Sequence, residues 1–146
     1  STDCAATESN MKAPDIIPLV SGLLTPLGVP VVVNDLSNTA QAAMESALRS
    51  SGAVLVVAPL QETGHSDQSR TRHAELAHII VAVRTNPNIY ATPYQLQDDV
   101  LKAVTGYTAN GVILAGGPDG KVREWLHDDT GNLSHALHFR VPGIVL

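Results

Sequence analysis

Between Leu76 and Val83 almost every residue is apolar or small, with Ile and Val prominent, which predicts a strand buried on both faces. Thr85-Asn86-Pro87-Asn88 then breaks the pattern and turns the chain. Leu96, Val100, Leu101 and Val104 follow at helical spacing. Thr92 stands where an N-cap belongs, Pro93 at the first helical position, and Gln95 where the second member of a capping box reaches back. Gly106 is the expected stop, and Asp98 and Asp99 read as a solvated face. A central strand handing over to an amphipathic helix is the clearest structural statement in the chain.

The remaining periodicities fill in around it. Ile16, Val20, Leu23 and Leu27 lie on one face of a helix over Asp15–Leu27, with Asp15 able to cap it and Gly28 ending it. Val29–Val33 is β-branched and reads as a short strand closed by Asn34-Asp35. Ser37, Asn38 or Thr39 can cap a helix over Ala40–Arg49 whose apolar side is Met44, Ala47 and Leu48. Ala53–Ala58 is a buried-type strand. Pro59–Arg72 is almost free of apolar residues and reads as one long polar loop, a length that inside a compact domain points to function or to disorder. Gly111–Ala115 and Val122–His127 read as strands, and Asp128-Asp129-Thr130-Gly131-Asn132 as a hairpin turn. In Leu133–Val141, Leu137, Phe139 and Val141 point one way while Ser134, His138 and Arg140 point the other, which predicts one wet or partner-facing side. Residues 1–13 are small and polar and are expected to form a flexible N-terminal arm. The sum predicts an α+β domain over 14–146: a mainly antiparallel mixed sheet flanked by two or three helices.

Composition narrows the function classes. The 146 residues are 44% apolar, 16% charged and only 3% aromatic, so an aliphatic core is implied and base-stacking platforms for single-stranded nucleic acid are not. A net charge of −5 argues against duplex binding, which needs clustered Lys and Arg. Cys4 is the only cysteine, so neither an intrachain disulfide nor a cysteine zinc site is possible. The start has neither the basic nor the apolar region of a secretory leader, and no apolar run approaches the ~20 residues of a membrane span. The expected setting is cytoplasm or a particle assembled there.

Candidate chemistry is sparse. The six histidines cluster loosely, His65, His73 and His78 with Glu62 and Asp67, and His127, His135 and His138 with Asp128 and Asp129. None shows a fixed ligand spacing, so no metal is expected. The Asp128–Asn132 run lacks the closing Glu of a calcium loop, and the glycines of Gly116–Gly120 are not followed by the helix and Lys of a phosphate cradle. Val29–Val33, Ala40–Arg49 and Ala53–Val57 have the order of a Rossmann-type opening, but Asn34-Asp35-Leu36-Ser37 replaces its glycine fingerprint. No nucleophile, base and orienting group assemble, so no catalytic residue and no cofactor is assigned. A small α/β enzyme or ligand-binding domain is the alternative, with His65, His73 and Asp35 as its candidates.

The order of these segments resembles the tail-terminator (tail-completion, minor tail) proteins of tailed bacteriophages over roughly residues 15–146. The stretches that carry the resemblance are GVPVVVNDL, the strand and polar loop AVLVVAPLQETGHSDQSRTRH, the central strand HIIVAVRT, the helix TPYQLQDDVLKAVTGY and the final LHFRVPGIVL. It is a likeness of pattern, without a diagnostic motif. The resemblance implies a non-enzymatic virion protein of the tail and neck that closes into a homo-hexameric ring. That ring ends growth of the tail tube and meets the head–tail connector. Its partners would be further copies of itself, the tail tube protein and the connector. It binds no membrane and reads no nucleic-acid sequence, although its lumen leaves room for DNA. On this reading Glu62, His65, Asp67, Arg70 and Arg72 contact the tube or lumen, and His138 and Arg140 contact neighbouring subunits.

Overall fold

The computed structural model describes residues 11–64, 74–109 and 111–144. Three helices, α1 (Ala13–Leu24), α2 (Asn38–Ser50) and α3 (Pro93–Val104), flank a curled mixed sheet of eight strands. The strands are β1 (Val31–Val33), β2 (Ala53–Val57), β3 (Gln61–Gly64), β4 (Ala74–Thr85), β5 (Gly106–Thr108), β6 (Gly111–Ala115), β7 (Arg123–Leu126) and β8 (Leu133–Pro142). The order is β1-β2-β4-β8-β6-β5, with β3 continuing the edge of β4 beyond β2 and β7 sharing the outer edge of β8 with β6. The expected α+β class is therefore the observed one.

The spine is the ten-residue antiparallel pairing of β4 with β8, from Leu76 opposite Pro142 to Thr85 opposite Leu133. Alternation decides which side chains reach the core. Ala77, Ile79, Val81 and Val83 from β4, with Leu137, Phe139 and Val141 from β8, face Ile16, Val20 and Leu24 of α1 and Leu96, Val100 and Val104 of α3. The helical residues repeat at three- and four-residue intervals, so each helix lays one apolar stripe on the sheet. On the reverse face, α2 covers Val54 and Val56 with Ala40, Met44, Ala47 and Leu48. Only β2 is fully buried along its length. β4 is buried on its odd side, while His78, Ile80, Ala82 and Arg84 are half-buried, so the expectation that it is buried on both faces is corrected.

The segment β1–α2–β2 is a parallel strand–helix–strand unit, Val31 opposite Leu55 and Val33 opposite Val57, and it supplies the only parallel pairing among the described strands. Ser37 caps α2, its Oγ accepting the Ala40 N–H at 3.1 Å. The capping box expected at α3 does not form. Thr92 sits at ψ 61°, its side chain makes no cap hydrogen bond, and the Gln95 amide donates instead to Asp99 at 2.9 Å. Nor does Gly106 simply end that helix: the helix stops at Val104 and Gly106 opens β5. The polar stretch after Pro59 is not all loop, because Gln61–Gly64 pairs with β4. The expected arm of residues 1–13 is too long at its inner end, since Met11 is 2% exposed within the core; residues 1–10 lie outside the described part. Asp128 ties the β7–β8 turn to the sheet, accepting from Arg84 and from Ser134 at 3.0 and 3.1 Å and from the Thr130 hydroxyl. The Thr130 contact, then the Arg84 guanidinium and the Ser134 hydroxyl, hold its carboxyl far below the usual carboxylate range despite burial.

Candidate functional site

Two surfaces concentrate chemistry. The first is a cleft of about 390 Å³ on the reverse face of the sheet, lined by His78, Pro118, Asp119, Lys121, Glu124 and His138. β4 and β8 bring the two histidines together as diagonal neighbours, since His78 lies opposite Arg140 and His138 opposite Ile80. His78 Nε2 and His138 Nδ1 are 2.8 Å apart, and His138 Nε2 is 3.0 Å from Glu124 on β7. One proton must lie between the rings, so both nitrogens facing that gap cannot carry one at once.

The Gly116–Lys121 turn straps over this pair. Gly117 packs closely on them: a Cβ there would stand 3.0 Å from His78 Nε2, so the imidazole would have to give by a few tenths of an ångström, and 3.5 Å from the His138 Cβ, an ordinary contact. Arg140 anchors the strap by donating to the Ala115 and Gly116 carbonyls. His138 is consequently 7% exposed, and the expectation that it and Arg140 form an outward, wet face is corrected: the two do share a face, but the strap covers it. Burial first, then the neighbouring His138, push the His78 pKa below its ordinary value, with Asp119 opposing. Hydrogen bonds from His138 and then Lys121 hold Glu124 below the usual carboxylate range. The Lys121 N–H does the same for Asp119.

The second surface lies across the sheet, where β7 meets α3. Trp125 is the cross-strand neighbour of His135, and Tyr94 stacks edge-on against the same imidazole with centroids 5.5 Å apart. Gln97, 1% exposed, lies 3.0 Å from His135 Nδ1 and orients the ring. Arg123 reaches Asp98 at 2.7 Å and locks β7 to α3, so Asp98 is an ion-pair partner and not the merely solvated charge expected of it. Burial and then the Arg123 charge lower the pKa of His135. Tyr94 and Trp125 themselves are 54% and 65% exposed.

These two lowered histidines give a pH prediction. The unfolded chain binds protons at both near the ordinary value of about 6.5, while the folded chain resists them. Their contribution is therefore complete above that pH and lost as pH falls below it. Thermal melts should show the midpoint dropping by several degrees from pH 7.5 to 5.5, with a flatter profile in His78→Gln. A variant profile as steep as the wild type's would show that His78 does not carry the effect.

Of the residues expected to act, Glu62 is exposed on β3 opposite Ala77. His65, Asp67, Arg70, Arg72 and His73 lie outside the described residues. Asp35 is exposed and accepts the Ser37 N–H at 3.0 Å. Contacts with Ser37 lower its pKa, so its present role is a turn. Among the described residues no group of three His, Cys, Asp or Glu side chains is placed to hold a metal ion. No described helix is long and apolar enough to cross a membrane. Glu124, Asp119, Tyr94 and Trp125 were not anticipated. The signal for the last two was available, because a chain with so few aromatics places them on otherwise polar stretches.

No protein-family profile matches the chain, and no curated protein matches it.

Proposed function

We propose that this chain is a structural virion subunit that closes into a ring, of about six copies, at the head-proximal end of a phage tail tube. There the ring ends tube growth and joins the tail to the head connector. The observation that carries the reading is where the aromatic side chains lie. The chain has five Phe, Tyr and Trp residues, and Tyr94, Tyr107 and Trp125 are more than half exposed. Burying them would stabilise the isolated fold, since each carries a large apolar payload. Tyr94 and Trp125 lie where Arg123 joins β7 to α3, and that grouping fits a surface made for another protein, because Trp, Tyr and Arg dominate binding energy at interfaces. The segment pattern of the sequence resembles the tail-terminator outline, which supports the same reading.

On this reading the protein is not an enzyme, and the polar segment holding Glu62, His65, Asp67, Arg70 and Arg72 contacts the tube or the lumen. His138 and Arg140 reach a neighbouring subunit only through the strap they support. The test is molar mass in solution over a concentration series. Growth toward about six chain masses supports the ring, whereas a closed two-copy species at all concentrations contradicts it.

A further inference from the structure

Leu36 is the one described non-glycine residue with positive φ, at 66°, and it is 80% exposed. A leucine there costs roughly 1–2 kcal/mol in backbone strain, and its exposure returns little of that within the monomer. The turn that presents it is closed by side-chain hydrogen bonds. Asn34 Oδ1 accepts the Leu36 N–H and Asp35 Oδ1 the Ser37 N–H, both at 3.0 Å, while Ser37 caps α2. Val33, 44% exposed at the end of β1, widens the apolar feature. Strain held this firmly at an exposed apolar side chain is the mark of a contact made elsewhere.

The complementary feature is at the other end of the sheet. β1 is one edge, and β7 lies on the far side of β8, with β2 and β4 between, so knob and aromatic surface stand roughly 20 Å apart at ~4.8 Å per strand. Two unlike, complementary patches on opposite sides of one chain are what a head-to-tail contact needs, and such a contact builds a ring where the rotation it sets closes and an open filament where it does not. Charge leaves room for the contact: Asp35 stands next to Leu36, and Arg123, two residues from Trp125 on the same side of β7, is one-third exposed and would share its guanidinium between Asp98, which it already holds at 2.7 Å, and an incoming Asp35. We infer that Leu36 of one copy packs on the Tyr94–Trp125 surface of the next, with Asp35 facing Arg123. This rests on the ring reading and names the contact that would build it.

The test uses two variants with opposite dead ends, Leu36→Asp and Trp125→Glu, both at exposed positions, with melting checked against wild type. Each alone should associate at least about tenfold more weakly than wild type, the scale of losing a central interface residue. Mixed one to one, they retain a single intact contact between them and should give a two-copy species that grows no further. Leu36→Gly should melt higher, being relieved of strain, yet associate more weakly; a purely local role for Leu36 would not separate those two readouts. The contact is overturned if either variant assembles as wild type does, or if the mixture stays monomeric. Wild type that remains monomeric up to about 1 mM also overturns it, because such a contact would be weaker than about −4 kcal/mol. Intact rings formed by both variants would defeat the contact and leave the ring reading standing. A closed wild-type dimer would defeat the ring reading itself.

Discussion

Phe139→Ala should remove about 3–5 kcal/mol of stability and lower the melting temperature by roughly 10 °C. Phe139 is fully buried at the middle of β8, opposite Ile79 of β4 on one side and Ala115 of β6 on the other. It is the only phenylalanine in the chain, set among valines, leucines and isoleucines that cannot extend into the space it would leave. The cost therefore includes the cavity as well as the lost transfer energy. Against a total stability of typically 5–15 kcal/mol for a domain, the variant would be marginal at 37 °C. Phe139→Leu, which keeps most of the volume, should cost less than half as much. Urea melts of the two variants decide the matter. A loss below about 1 kcal/mol for Ala would mean that the centre of the β4–β8 spine can collapse onto itself.

Gly52→Ala should be nearly as damaging, although it adds one methyl. Gly52 has φ +74°, and a Cβ there would stand 2.5 Å from Ile89 Cγ2 and 2.7 Å from Ile89 Cβ. The Ile89 Cβ cannot swing away without its backbone, and that backbone is pinned because Asn86 accepts the Ile89 and Tyr90 N–H groups while donating its own to the Gly52 carbonyl at 2.7 Å. Left-handed strain of roughly 1–2 kcal/mol adds to overpacking of roughly 1–3 kcal/mol. Gly131→Ala is the control: its φ is similar, +84°, but nothing lies within 4 Å of the added atom. It should cost only the conformational part. Equal destabilisation by the two substitutions would show that the clash with Ile89 is relieved and only φ matters.

How far the sequence was legible depended on how local each signal was. The alternation of Leu137, Phe139 and Val141 announced both β8 and its buried side, because a two-residue period is set by the strand itself. The Asp128–Asn132 turn was equally readable, since its Asp and Gly types carry the geometry. The strand–helix–strand order of β1–α2–β2 was readable, but its parallel pairing was not, because the glycine fingerprint that would announce such a unit is missing from its first turn. The misses came from distant partners. Gln61–Gly64 is polar and looks like loop, and only the extra length of β4 makes it a strand. His138 was assigned outward on period alone, which cannot show that the Gly116–Lys121 turn crosses back over that face. At Thr92 the residue types of a capping box were present, but ψ 61° aims the hydroxyl elsewhere. The aromatic surface needed α3 and β7 side by side, joined by Arg123 and Asp98, 25 residues apart in sequence.

The central claim, a ring that ends a tail tube, is tested most directly by electron microscopy of tail tubes polymerised with and without this protein. The account expects tubes of bounded length carrying a ring of extra density at one end, with Trp125→Glu leaving that end bare. Tubes that keep growing in the presence of folded wild-type protein, with no density added at either end, would contradict it.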